Sequence, residues 1–117
     1  MKQVKMEFIF NNKNIPCEYN NIEGIIKDIT PGEFFCISKS EESFLQIVCM
    51  HNEGLGFFRI EKPCEKEGFI LSSHSSRLSV IRALQKFFLN KEYKVIKCWN
   101  EEKLSEINLQ EEIELFN

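Results

Sequence analysis

The fold is decided by residues 33–73, which read EFFCISKSEESFLQIVCMHNEGLGFFRIEKPCEKEGFILSS. Four apolar runs rich in Phe, Ile, Leu and Val alternate here with three spacers, KSEE, HNEG and KPCEK. Each spacer holds turn-forming or charged residues and is short enough for a β-hairpin. Consecutive strands joined by short turns form an antiparallel meander. This stretch therefore predicts four neighbouring strands.

The N-terminal segment adds strands to this sheet. Residues 2–10 alternate apolar and polar side chains, which is typical of a half-buried strand. Residues 11–14, NNKN, predict a turn. Residues 15–19, IPCEY, predict a second strand, in which Pro16 indicates a sheet edge.

Two segments follow helical spacing. In the first predicted helix, Asn20 or Asn21 is the expected N-cap, and the Pro31-Gly32 pair is expected to end the helix. Its apolar stripe is Ile22, Ile25, Ile26 and Ile29. In the second, residues 75–90, Ser75 or Ser76 should cap the start and Asn90 the end. Its expected buried stripe is Val80, Ile81, Leu84, Phe87 and Phe88.

The C-terminal part completes the fold prediction. Residues 93–99 predict a last strand, and the acidic tail after it fits either a helix or a short strand near its end. The fold class is therefore α+β: a mostly antiparallel sheet of five to six strands, with two or three helices packed on it. The length of 117 residues predicts one domain covering residues 1–117.

The composition points to the cytosol. Residues 1–10 alternate charged and apolar side chains, whereas a signal peptide needs an unbroken apolar run. No apolar run approaches the ~18 residues of a membrane span. The five cysteines are an odd number, and we interpret them as reduced thiols that mostly pack as small apolar side chains. They are Cys17, Cys36, Cys49, Cys64 and Cys98.

Cys49 and His51 are the first candidates for chemistry. Residues two apart on a strand point to the same face, so a thiol nucleophile and its base could be neighbours. However, no helix start follows to lower the thiol pKa, so we expect a core cysteine and a turn histidine. The paired ligand spacing of a structural zinc site is also missing. We therefore expect no catalytic residue, no metal and no cofactor.

Charge is distributed unevenly along the C-terminal half. Residues 77–100 carry six basic groups and one acidic group, and residues 101–117 carry one basic and six acidic groups. Basic clusters contact phosphates, so a nucleic-acid-binding or regulatory module using segment 77–97, with Arg82, Lys86 and Lys94, is one hypothesis. The acidic pI of about 5.5 argues against it.

Acidic side chains also concentrate in the predicted turns. Such charges either face water or meet a basic protein surface. The candidate partner-binding residues are Glu41, Glu42, Glu53, Glu65 and Glu67, with Glu101 and Glu102 as further candidates.

The order of elements over residues 33–99 resembles a known class of proteins. A strand from Phe44 leads into an acidic turn with Gly, and the next strand carries the Phe57-Phe58-Arg59 run. A third strand then enters LSVIRALQKFFLNKEY, and Trp99 closes the unit. This order resembles the small immunity proteins encoded beside bacterial polymorphic toxins, including those of contact-dependent growth inhibition systems.

The resemblance implies a cytosolic, non-enzymatic protein. Such a protein binds a cognate toxin domain and blocks the toxin's active site or its substrate path. The toxins are often nucleases with basic clefts, in which acidic loops of the immunity protein would stand in for phosphates.

Overall fold

The computed structural model describes residues 7–15, 18–89, 91 and 93–117. Over these residues the chain forms one seven-stranded antiparallel sheet in the order β2-β1-β3-β4-β5-β6-β7. The strands are β1 (Glu7–Phe10), β2 (Lys13–Asn14), β3 (Phe34–Ser40), β4 (Ser43–His51), β5 (Phe57–Pro63), β6 (Phe69–Ser75) and β7 (Asn100–Lys103). The helices are α1 (Tyr19–Asp28), α2 (Arg77–Phe88) and α3 (Leu109–Phe116), and a 3-10 turn covers Leu104–Glu106.

The predicted α+β fold and its four-strand meander are confirmed. The sheet has more strands than the expected five to six because two short ones, β2 and β7, extend its edges. The described helices match the upper expectation of three.

One face of the sheet carries the main core, and we call it the helical face because α1 and α2 cover it. Strand alternation puts every second residue of β3, β4 and β5 on this face. Its fully buried sheet residues are Phe35, Ile37, Leu45, Ile47, Cys49, Phe58 and Ile60. The helices contribute Ile22, Ile26, Val80, Ala83 and Leu84 to the same core. Each large apolar side chain buried here stabilises the fold by about 1.5–3 kcal/mol.

Helix α2 begins as its sequence predicts. The Ser76 side chain accepts a hydrogen bond from the Ser79 amide and so caps the N-terminus. At the other end, the C-cap is Leu89, and the predicted C-cap Asn90 lies outside the described residues. Lys39 from β3 donates to the Phe87 carbonyl oxygen at 2.5 Å, so a cation supports the negative end of the helix.

The N-terminal predictions are only partly correct. Of the expected turn at residues 11–14, Asn11 and Asn12 form a turn with positive φ angles of 47° and 67°, whereas Lys13 and Asn14 form β2. The predicted strand 15–19 is wrong, since β2 is earlier and shorter and Tyr19 already begins α1. The predicted asparagine caps of α1 are wrong too. The N-cap is Glu18, whose backbone carbonyl, not its side chain, accepts the first helical hydrogen bonds. Residues 1–6 and 16–17 lie outside the described residues.

The predicted strand at residues 93–99 is also wrong, because the last strand comes directly after it. Val95 and Ile96 are adjacent, yet both pack against the core, which a strand with alternating faces cannot achieve. The segment is held by aromatic contacts instead. Lys62 Nζ lies 4.3 Å from the Trp99 ring centroid and 5.6 Å from that of Tyr93.

The loop between β4 and β5 is fixed by Arg77 at the start of α2. The guanidinium donates to the Asn52 carbonyl oxygen at 2.7 Å and to the Gly54 carbonyl oxygen at 3.1 Å, and it also bonds the Asn52 side chain. Gly56 has a φ of +75°, and a Cβ there would lie 2.7 Å from Phe58 Cε2. Both the backbone angle and the space therefore require glycine.

We predict that Gly56→Ala lowers the free energy of unfolding more than Gly54→Ala. Both positions have positive φ, but a Cβ at Gly54 meets open space. Gly54→Ala should cost the backbone term alone, about 1–2 kcal/mol, and Gly56→Ala should add the clash with Phe58. Urea denaturation of both variants measures the difference, and equal losses would contradict this description of the loop.

Candidate functional site

Cys49 and His51 do not form a catalytic pair. The Cys49 thiol lies in the core of the helical face, where burial raises its pKa to about 11, so it stays protonated at neutral pH. A register shift in β4 separates the two residues. The His51 ring instead lies 3.3 Å from Asn117 Oδ1 and 3.8 Å from Glu53 Oε2. The expected core cysteine is confirmed, and His51 ends β4 rather than standing in the turn.

The other thiols are less buried than expected. Cys36 and Cys64 are half-buried and Cys98 is exposed, while Cys17 lies outside the described residues. The expectation that most cysteines pack inside is therefore wrong for the part of the chain that the structure describes. Within that part, no group of three or more His, Cys, Asp or Glu side chains could hold a metal ion.

The candidate glutamates of the turns separate into two sets, because successive turns of a meander lie at opposite ends of the sheet. Glu41 and Glu42 lie between β3 and β4, and Glu65 and Glu67 between β5 and β6, so these four share one end. Glu53 lies between β4 and β5 at the other end. All five side chains belong to exposed residues.

Two adjoining grooves connect acids of the shared end with those of the C-terminal segment. A groove of about 590 Å³ is lined by Glu42, Glu65 and Glu101, among others. A groove of about 670 Å³ lies between β7 and α3, and Glu101 lines it as well. We call the seven glutamates on these two grooves the acidic band. They are Glu42, Glu65, Glu101, Glu102, Glu106, Glu111 and Glu112.

A hydrogen bond joins the two parts of this surface. The Leu104 amide donates to the Gly68 carbonyl oxygen at 2.9 Å, which ties the 3-10 turn to the turn between β5 and β6. Lys66 Nζ, in that same turn, lies 3.4 Å from Glu101 Oε1. The band is therefore built from turns of the meander and from the C-terminal segment together.

The second face of the sheet holds a buried ion cluster that the sequence analysis missed. We call it the C-terminal face because α3 covers it. Arg59 is fully buried there. Its Nε donates to Glu61 Oε2 at 3.1 Å, and its two terminal nitrogens bind both oxygens of Glu102. Glu112 of α3 is the third carboxylate, with Oε2 at 3.5 Å from Arg59 Nη1.

The cluster shifts the pKa values of its members in opposite directions. The hydrogen bond from Arg59 lowers the pKa of Glu102. Burial raises the pKa of Glu61, although the neighbouring Arg59 charge acts in the opposite direction. A carboxylate that is half-exposed and one that is deeply buried thus share the same guanidinium. Glu102, a further candidate for partner binding, therefore has both carboxylate oxygens bound to Arg59 within the fold.

Aromatic and terminal contacts also hold α3 on this face. Phe116 packs on Phe57, with ring centroids 4.6 Å apart. The Asn117 side-chain amide donates to the Met50 carbonyl oxygen at 2.7 Å. The Asn108 side chain accepts from the Glu111 amide and caps the start of the helix. Since no residue of α3 is buried, these few contacts and the ion pair between Glu112 and Arg59 determine its position.

The basic segment begins with Arg77, whose side chain is used within the fold. Arg77 is committed to the loop carbonyls of Asn52 and Gly54. Arg82 and Lys86 are exposed on α2, and Lys94 is exposed in the segment after it. The aromatic rings of α2 lie against the core, so the basic surface has no stacking platform of its own there.

The comparisons with known proteins give no relative. No protein-family model, curated protein or solved structure matches this chain. Within the described residues, no helix has both the length and the apolar character to cross a bilayer.

We predict that His74 makes stability depend on pH. Its ring stacks on Phe57 with centroids 5.0 Å apart. Burial and the Arg59 charge lower its pKa from the usual 6.5, while the nearby Glu112 and Glu102 charges act in the opposite direction. The unfolded chain therefore takes up a proton more readily than the folded one. Stability from this group is complete above pH 6.5 and is lost as the pH falls through the folded-state value.

The measurement is the free energy of unfolding at several pH values between 7.5 and 5.5. His74→Phe keeps an aromatic ring against Phe57 and removes the titration, so its stability should fall less steeply over about this range than that of the wild type. Parallel curves for the two proteins would rule out His74 as the source.

Proposed function

We propose that this chain is an immunity protein that neutralises a cognate toxin domain in the bacterial cytoplasm by direct binding. The observation that carries the proposal is the acidic band, which places carboxylates from two turns and the C-terminal segment around two grooves that share Glu101. A toxin with a basic substrate cleft presents the complementary charge.

The band supports binding through its shape as well as its charge. Exposed carboxylates such as Glu42 and Glu65 raise the association rate by attracting a basic partner, and salt screens this effect. The grooves add apolar contact, since Phe44 and Tyr93 line the first of them beside those two acids. Rings buried by a partner supply affinity that exposed ion pairs do not.

The strands and turns that carry the band also favour a preformed binding surface. Glu42 and Glu65 lie in short turns between paired strands, so their backbone is held by the sheet on both sides. A partner that meets a surface already in place loses less conformational entropy on binding. We therefore expect fast association with little rearrangement of this chain.

The test is co-expression with the product of the open reading frame immediately upstream, followed by co-purification and a growth assay. The wild-type chain should bind that protein and restore growth. The triple variant Glu42→Lys/Glu65→Lys/Glu101→Lys should slow association by about 10- to 1,000-fold at low salt, because it reverses the attracting charge.

A matched control separates local charge from net charge. Glu18→Lys/Glu23→Lys/Asp28→Lys reverses three exposed acids that lie on and beside α1, away from the band. This control should keep binding and protection close to wild type. Recovery of the wild-type chain alone, without rescue of growth, would contradict the proposal, and so would equal losses in the two triple variants.

A further inference from the structure

The groove between β7 and α3 combines apolar side chains with carboxylates. Phe69, Ile107 and Leu115 form its apolar part. Leu115 is 80% exposed although it belongs to a helix that packs on the sheet. Leaving a leucine this exposed costs burial energy that a partner could recover.

The charges around this groove do not balance. Five glutamates line it: Glu101, Glu102, Glu106, Glu111 and Glu112. Three cations of the chain face them, namely Arg59, Lys66 and Lys103, and Arg59 also pairs with Glu61, so at least two negative charges remain in excess. Among the ion pairs of the described residues, none involves Glu106 or Glu111, and both residues are exposed.

The chain's own Lys66 shows what kind of group this surface accepts. Its ammonium lies 4.1 Å from the centroid of the Phe69 ring and 3.4 Å from Glu101 Oε1. One cation thus contacts an aromatic ring and a carboxylate that both line the groove. Long basic side chains suit such a site, because their aliphatic stems cover apolar surface while their charged ends reach the acids.

We propose that the groove between β7 and α3 binds an amphipathic basic segment of the partner protein, in which Arg or Lys residues alternate with aliphatic ones. The basic side chains pair with Glu106 and Glu111, and the aliphatic ones cover Leu115 and Ile107. This inference rests on the proposed function and deepens it, because it names the part of the toxin that the immunity protein holds.

The probe is a short synthetic peptide that alternates arginine and leucine and is capped at both ends. Titration into the isotope-labelled full chain should give saturable NMR shifts at the amides of Ile107, Glu111 and Leu115. Two altered peptides test the two parts of the chemistry. Replacing every arginine by glutamate, or every leucine by serine, should weaken binding at least about tenfold.

Variants of the chain test the assignment to this groove. Glu106→Gln/Glu111→Gln should weaken peptide binding about tenfold, whereas Glu18→Gln/Glu23→Gln, which removes two exposed acids on and beside α1, should change it less than about twofold. Leu115→Ser should weaken binding without any change in net charge. Shifts spread evenly over all acidic surfaces, equal binding of the glutamate peptide, or a failure to saturate would overturn the inference.

The peptide titration and the growth assay test the groove and the proposed function independently. Protection of growth by a chain that does not bind the peptide would keep the proposed function and remove this groove as the binding site. Peptide binding in the groove without protection would keep the groove's chemistry and overturn the toxin segment as its occupant.

Discussion

The burial of Arg59 is the constraint on which the C-terminal half depends. A guanidinium without solvent contact is unstable unless carboxylates pair with it and satisfy its donors. Here the carboxylates come from three elements, with Glu61 on β5, Glu102 on β7 and Glu112 on α3. The last two belong to the acidic tail, so this single buried cation draws the tail back onto the sheet.

This arrangement gives four acids of the tail two different roles. Glu102 and Glu112 compensate Arg59 and so belong to the stability of the fold. Glu106 and Glu111 stay exposed on the groove that the same segment creates. The surface that we propose as a binding site is thus positioned by the ion cluster beneath it. Charge in the first group positions the chain, and charge in the second is what our proposal assigns to the attraction of a basic protein.

Local sequence patterns predict the strands and helices in which apolar residues recur at regular spacing. The four meander strands and the Ser76-capped helix α2 follow from alternation, turn residues and a cap. The strand predicted for residues 93–99 is wrong because Val95 and Trp99 are packed by contacts with the distant core and with Lys62, which no local pattern shows. The pairing of β7 with β6 is also a long-range contact, and it brings Glu101 beside the turn acids.

The positions of some site residues in the sheet follow from the sequence alone. Meander geometry alone puts Glu53 at the opposite end from Glu42 and Glu65. Likewise, Arg59 and Glu61 are two apart on a strand whose other face carries Phe58 and Ile60, so both must share the second face. What the alternation cannot show is that α3 covers this face, since that depends on contacts made by the chain's last residues.

The most direct test of this account is the free energy of unfolding of Arg59→Met compared with Arg82→Met. Both variants replace arginine by a flexible apolar side chain, but Arg82 is exposed on α2 whereas Arg59 is fully buried. The account predicts a loss of about 3–5 kcal/mol for Arg59→Met, because three carboxylates lose their cation, and a change within about 0.5 kcal/mol for Arg82→Met. Similar small changes in both proteins would contradict it.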